Sequence, residues 1–174
     1  MANGTFLGID TATLGRWIGK FGAGYWSAKT YNGVLPSWLT STVVSSASTG
    51  TITLSNTDNY FQIPGSSDSN TYTSLTSCNI DLTLVDSKVY VRSIFILSST
   101  SPRQLTFKLQ NTAGDTTYSS YTDPTPWSSQ GKWYRFVHWG GSCRIRIESV
   151  SGVVTLCGVV FDKFDNQFGH TCEE

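Results

Sequence analysis

The sequence has few of the features that mark the common functional classes. It has no net charge, with twelve Lys and Arg against twelve Asp and Glu. It therefore lacks the basic excess with which nucleic-acid binders neutralise phosphate. No stretch approaches the ~20 consecutive apolar residues of a membrane-spanning helix. Glutamate occurs only at Glu148, Glu173 and Glu174, and histidine twice. General acid–base chemistry wants paired carboxylates, or a histidine beside one, and that supply is thin. Asp58, Asp68, Asp86, Asp115 and Asp123 lie in turn-like sequence, where the side chain bonds nearby backbone. His138, between Val137 and Trp139, reads as a packed strand residue. There is no Gly-x-Ser-x-Gly elbow, and Gly19 to Gly24 lacks the helix that must follow a phosphate loop. The expectation is a chain that is not an enzyme and holds no cofactor or metal.

Helical periodicity is almost missing too. Only Pro36 to Thr40 has helical character, enough for one turn. The N-terminus, Met1-Ala2-Asn3-Gly4-Thr5, has no basic segment followed by an apolar one, so no secretory leader is expected. Two readings fit: a mature sequence given a new Met, or a protein made in a cytosol that leaves by another route, such as inside a virus particle. Cys78, Cys143, Cys157 and Cys172 form no Cys-x-x-Cys pair, and His170-Thr171-Cys172 is a weak zinc signal. Cys143 and Cys157 read as small core residues on two adjacent strands. A Cys143–Cys157 or Cys78–Cys172 bridge stays open.

What is abundant is Ser, Thr and aromatic residues: Ser and Thr are about 27% of the chain and aromatics 13%. Period-two alternation broken by Gly, Asn, Asp and Pro dominates. Thr51 to Leu54 alternates, as does Asn79 to Val85 with Ile80, Leu82 and Leu84 on one face. Lys88 to Leu97 is apolar on both faces and reads as a strand covered on both sides. Arg103 to Gln110 points Leu105, Phe107 and Leu109 inward. Lys132 to Trp139, a tight Gly140-Gly141 hairpin, Ser142 to Ser149, and Val153 to Phe161 read as an antiparallel meander. In the last strand Val153, Cys157, Val159 and Phe161 are expected on one side. Asn56 to Asn59, Gly65 to Ser77 and Ser119 to Gln130 read as polar loops. Turn spacing of ~8–12 residues predicts an all-β, antiparallel two-sheet jelly-roll sandwich of about eight to ten strands. Residues 1–163 are expected to form one domain, and 164–174 a polar tail carrying Phe164 and Phe168.

Residues Gly8-Ile9-Asp10-Thr11-Ala12-Thr13-Leu14-Gly15-Arg16-Trp17-Ile18-Gly19-Lys20-Phe21-Gly22-Ala23-Gly24-Tyr25 carry a resemblance. They are similar to the opening, D-T-x-T-x-G-x-W-x-G-x-Y-G-x-x-G-Y, of a β-sandwich module of bacterial surface and secreted proteins. Gly131 to Trp139 and Val153 to Asp162 resemble its closing strands, with Trp133 in a Tyr place and Trp139 one residue late. The resemblance implies a lectin-like or adhesive jelly roll, here standing alone.

Sugar recognition needs exposed aromatic faces and a few polar groups. Trp26, Trp38 and Trp127 fall in turn-like sequence and, with Tyr25, are the candidate carbohydrate contacts. Trp17, Trp133 and Trp139 read as core wedges. Asp10 and Asp162 could meet on adjacent strands as calcium ligands, although such sites want several oxygens from one loop. Charge is uneven along the chain: −2 over residues 1–87, +5 over 88–163 and −3 over 164–174. Arg144 and Arg146 alternate with Ile145 and Ile147 on one sheet face. With Arg135 they are candidate assembly contacts for an acidic neighbour such as Glu173-Glu174 of another subunit; the plainer reading is a solvated face with Glu148 as partner. Two functions follow. One is a non-catalytic virion structural protein, a bacteriophage capsid decoration or tail-associated homo-oligomer acting through subunit contacts. The alternative is an extracellular carbohydrate-binding or adhesion module. Neither involves nucleic acid or membrane.

Overall fold

A computed structural model describes residues 3–20, 22–45, 48–51, 57–86, 88–97, 104–124, 131–152 and 154–163. Among these residues the chain forms strands β1 (Asn3–Asp10), β2 (Gly24–Ser27), β3 (Asn32–Val34), β4 (Leu39–Ser45), β5 (Ser48–Thr51), β6 (Thr71–Leu75), β7 (Ser77–Leu84), β8 (Tyr90–Ile96), β9 (Leu105–Gln110), β10 (Thr117–Asp123), β11 (Lys132–Trp139), β12 (Cys143–Ser149) and β13 (Val154–Lys163). Helix is limited to a 3-10 turn at Thr57–Asn59. Pro36 is followed by a single turn, closed by the Leu39 N–H on the Pro36 carbonyl at 3.0 Å, before β4 begins.

The strands make two antiparallel sheets. The larger runs β1-β11-β8-β13-β2-β3, with β6 beside the first part of β13 and β5 beside β6. The smaller runs β10-β9-β12-β7-β4. Ile80, Leu82, Phe107, Leu109, Ile145 and Ile147 of the smaller sheet pack against Ile94, Ile96, Tyr134, Phe136, Val159 and Phe161 of the larger. The fold is therefore all-β, with the main core between two facing sheets. Segments that read as polar loops supply two more strands. Ser119 to Asp123 belongs to β10, and part of Gly65 to Ser77 forms β6. Both are rich in Ser, Thr and Tyr, so hydrophobic alternation is weak there, while ladder bonds to β9, β13 and β5 hold them.

The larger sheet is covered on its outer face as well. Every residue of β8 is buried, as expected for its two-sided apolar sequence. Outside it lies a second core of Trp17, Phe61, Ile63, Phe95, Leu97, Trp133, Cys157 and Val160. Two glycines let the rings lie flat on this sheet. A Cβ at Gly158 would stand 2.3 Å from the Phe61 ring, and one at Gly131 would stand 2.1 Å from the Phe95 ring.

Two expectations about the last strands are corrected. Gly140 and Gly141 both have positive φ, 87° and 111°, so the tight turn is there. However, β11 lies in the larger sheet and β12 in the smaller, so the turn joins the two sheets rather than two neighbours. There is no β11-β12-β13 meander, and Cys143 and Cys157 lie in opposite sheets. In β13 a register shift between Leu156 and Gly158 turns Cys157 to the outer core, while Val159 and Phe161 face inward. One extra residue reverses the alternation. Val153 and Thr51-to-Leu54 beyond Thr51 lie outside the described residues, as do Phe164 and Phe168.

The second core should be as costly to disturb as the first. Phe61→Ala is expected to lower the unfolding free energy by about 3–5 kcal/mol. Gly158→Ala is expected to lower it by about 1–3 kcal/mol through overpacking. Urea denaturation measures both, and losses under about 0.5 kcal/mol, the size of surface effects, would refute a packed outer layer.

Candidate functional site

The segment between β1 and β2 is where residues from distant parts of the chain converge. It starts at Asp10, whose Oδ1 accepts the Ala12 and Thr13 N–H groups at 2.8 and 2.9 Å. Burial alone would raise this carboxyl. The Thr13 hydroxyl, those two N–H groups and the Arg135 charge outweigh it and hold Asp10 below its ordinary value. Gly15 then runs against the 58–62 segment. Its N–H donates to the Asp58 carbonyl, and its own carbonyl accepts from Gln62 N–H. A Cβ there would come within 1.6 Å of the Tyr60 carbonyl oxygen, so only glycine allows this approach.

Trp17 is buried, and its indole N–H donates to the Gln62 carbonyl at 2.7 Å. Gly22, at φ 109°, donates its N–H to the Asp162 carboxylate. Burial raises the Asp162 carboxyl against the opposing pull of Gly22 and Arg135. Trp133 donates its indole N–H to the Leu14 carbonyl. The opening motif and the closing strands are thus one structure: a loop laid over the outer face of the larger sheet.

Where this loop returns into β2 it leaves a cleft of about 250 Å³, lined by Trp17, Ile18, Tyr25, Val34 and Pro64 with Gly19, Gly22, Ala23 and Gly24. Tyr25 is half-buried, and its ring lies 5.7 Å from that of Trp17. Ile18 and Val34 at the rim are 43% and 60% exposed.

A second cluster lies between the sheets. Arg92 is fully buried, and its guanidinium donates to the Ile80 carbonyl at 3.1 Å and to Cys143 Sγ at 3.1 Å. Cys143 Sγ is also 3.5 Å from His138 Nδ1. Burial, and then the Arg92 charge, hold the His138 imidazole well below its ordinary value. Burial likewise raises the Cys143 thiol, against the pull of Arg92. A thiol, an imidazole and a guanidinium are chemically capable together, but each is closed from solvent, so the arrangement acts as internal polar packing.

The candidate residues read from the sequence separate widely. Trp26 is only 3% exposed, packed in the inter-sheet core and edge-on to Tyr31, so it offers no face for sugar stacking. A short polar-looking sequence, Gly24 to Lys29, hid a central pairing with β13. Trp38 is half-buried and stacks on Tyr90 at 4.7 Å, plugging one end of the sandwich. Among the described aromatic candidates, Tyr25 lines this cleft. Trp127, Glu173, Glu174 and Cys172 lie outside the described residues. Trp139, read as a core wedge, ends β11 at 37% exposure. Trp17 and Ile18, which build the cleft, were hidden because a buried and an exposed residue adjoin in one glycine-rich loop with no period.

Arg144 and Arg146 do share the outer face of the smaller sheet, in register with Asp81 and Asn79 of β7. Arg144 makes a two-pronged ion pair with Asp81 at 2.7 and 2.9 Å. Arg146 and Lys108 both pair with Glu148, at 3.0 and 2.7 Å. This is the solvated face with local partners. Arg135 is not part of it: it lies on β11 in the larger sheet and bonds Ser93 Oγ at 3.0 Å. Asp10 and Asp162 are not on adjacent strands either, because β11 and β8 intervene, and the charge that acts on both is Arg135. Cys78, Cys143 and Cys157 are free thiols, so the Cys143–Cys157 bridge does not form.

No protein-family model matches this chain, and no curated protein does. Among solved structures, the enzymatically active domain of bacteriophage CBA120 tailspike protein 4 is similar at 12% identity. The match covers 71% of this chain and 19% of the tailspike chain, with a TM-score of 0.38, so the chain spans less than a fifth of that protein's length. A likeness this remote carries no argument about fold or activity.

The buried His138 makes stability depend on pH. Its folded pKa is depressed, so below about pH 6.5 the unfolded chain binds the extra proton first. Stability is present above that pH and falls below it, by up to about 1.4 kcal/mol per pH unit. The groups facing His138 are Arg92, Cys143 and Tyr90, and none of them supplies a compensating negative charge as pH falls. Urea melts between about pH 7 and about pH 5 should show this slope in the parent and a flatter one in His138→Gln. Equal slopes would refute the assignment.

Proposed function

We propose that the chain is a non-catalytic virion protein, a jelly-roll sandwich that decorates a bacteriophage capsid or accompanies its tail and acts through subunit contacts. The observation that carries this reading is where the apolar surface lies. Ile18 and Val34 stand in solvent around the cleft, and Leu7 and Ile9 stand in solvent on the edge strand β1. Apolar side chains left exposed at both ends of the larger sheet, on a chain with a full core, favour association. The charged face of the smaller sheet supports the same reading by contrast, since its Arg and Lys side chains are already paired within the sheet. The sequence resemblance to a module of bacterial surface and secreted proteins supports an exposed setting.

A second reading, a carbohydrate-binding or adhesive module, is favoured by the Trp17–Tyr25 cleft. Light scattering over rising concentration tests the first. A homo-oligomer, or co-sedimentation with particles from the source preparation, is expected; a monomer throughout, absent from particles, would overturn it. Glycan-array binding lost in Tyr25→Ala, with the melting temperature unchanged, would establish the second instead.

A further inference from the structure

Of the eight asparagines, two precede a glycine, Asn3 and Asn32. Asparagine is a chemically labile residue. The amide nitrogen of the next residue can attack its side-chain carbonyl carbon, and a glycine there leaves the approach uncrowded. In both dipeptides the side chain is already folded onto that nitrogen. The Gly4 N–H donates to Asn3 Oδ1 at 2.7 Å, and the Gly33 N–H to Asn32 Oδ1 at 2.8 Å. Holding the reacting groups side by side removes part of the entropic barrier to a bond between them.

The two sites differ in what resists the reaction, because closing the ring swings the Asn–Gly peptide out of strand geometry. Asn3 begins the eight-residue β1, which pairs with β11 from Asn3 opposite Trp139 to Asp10 opposite Trp133. Gly4 is buried there, and a Cβ on it would stand 2.6 Å from the Val137 carbonyl oxygen. Asn32 is exposed and begins β3, which is three residues long and among the described residues pairs with β2 alone. Tyr31 just before it has φ 53°, a left-handed backbone that is costly for a residue with a Cβ. Strain therefore adjoins the peptide that must move. The Thr30 hydroxyl donates to the Asn32 carbonyl at 3.0 Å and polarises what would become the second carbonyl of the ring. No larger residue can shield the site, since a Cβ at Gly33 would come within 1.8 Å of the Tyr25 carbonyl oxygen.

We propose that Asn32 is a self-modifying site, deamidated through a succinimide formed with Gly33, while Asn3 is protected by its strand. The Gly33 nitrogen bonds to Asn32 Cγ, the Cγ–Nδ2 bond breaks, and Nδ2 leaves as ammonia with the Gly33 amide proton. Water then opens the ring. Attack at Cγ gives aspartate. Attack at the Asn32 backbone carbonyl gives isoaspartate, in which the main chain runs through the side chain. Either product places a carboxylate two residues from Val34 on a chain with no net charge. Isoaspartate also lengthens the backbone by one methylene, which breaks the register of Asn32 to Val34 with Ser27 to Tyr25. The modification does not depend on which partner the protein meets.

The test is peptide mass spectrometry of the full chain, sampled over weeks in warm, mildly alkaline buffer, once folded and once in concentrated urea. In the folded chain the mass gain of deamidation, NH replaced by O, is expected on the Asn32 peptide at least about tenfold faster than on the Asn3 peptide. Fragmentation should resolve both aspartate and isoaspartate there. In urea the two rates should converge, because both sites then present the same dipeptide without a strand to hold it. Asn32→Gln, whose longer side chain disfavours the ring, should abolish the gain at that peptide while the folded spectrum is kept. Equal rates in the folded chain, a faster Asn3, or an Asn32 that stays intact when folded would each overturn the proposal. So would a tenfold difference that persists in urea, since the fold would then not be its cause.

Discussion

The larger sheet cannot face water on either side, and the rest of the structure follows from that constraint. β8 presents Ile94 and Ile96 to the smaller sheet, and Phe95 and Leu97 lie on the opposite side with Trp133, Cys157 and Val160. Two covers are therefore needed. The smaller sheet supplies one. The other is built from segments 11–20, 22–23 and 57–70, which have little regular structure and must satisfy their own backbone. They do so on each other, through the pairs Gly15–Asp58 and Gln62–Gly15, and on the sheet, through Gly22–Asp162 and Trp133–Leu14. Gly15 and Gly158 permit these approaches, which any Cβ would block. The cleft is a by-product of the same constraint, the gap left where the cover folds back into β2.

Electrostatics is handled locally. The surface cations of the smaller sheet are matched by Asp81 and Glu148 within it. Arg135 serves Asp10 and Asp162 on the outer face of the larger sheet. Arg92 is the exception, a guanidinium between the sheets that donates to a carbonyl and a thiol. Such a group gives weak net stability but makes alternative packings costly, because any rearrangement that leaves it unpaired buries a bare charge. Among the described residues the polarity seen along the chain does not become one basic patch. It is divided between two sheets and largely neutralised.

Much of the fold was legible. The alternation of β7, β9 and β12 located each strand and its inward face, Lys132 to Trp139 was legible as a strand, and the two-sided apolar sequence of β8 announced a covered strand. The candidate site was less so. Period two says that residues alternate between faces, but not which sheet a strand joins. Gly140-Gly141 therefore looked like a hairpin within one sheet, and Cys143 and Cys157 looked like neighbours. The shift at Gly158 altered which side Cys157 occupies without altering composition. Trp26 falls in turn-like sequence and so read as a candidate contact, yet β13 pairs beside it.

The sequence by itself determined that the chain is an antiparallel β protein with one strand buried on both faces, because local alternation and turn chemistry are short-range properties. It also carried the motif from Gly8 to Tyr25, in which Gly15 and Gly24 answer to close backbone approaches. Only the tertiary structure decided that this motif covers the outer face of the larger sheet. It also decided that Tyr25, and not Trp26 or Trp38, lines a cleft, and that the arginines part company. Those outcomes depend on contacts between residues as far apart as Gly22 and Asp162. No local pattern encodes which distant surfaces meet.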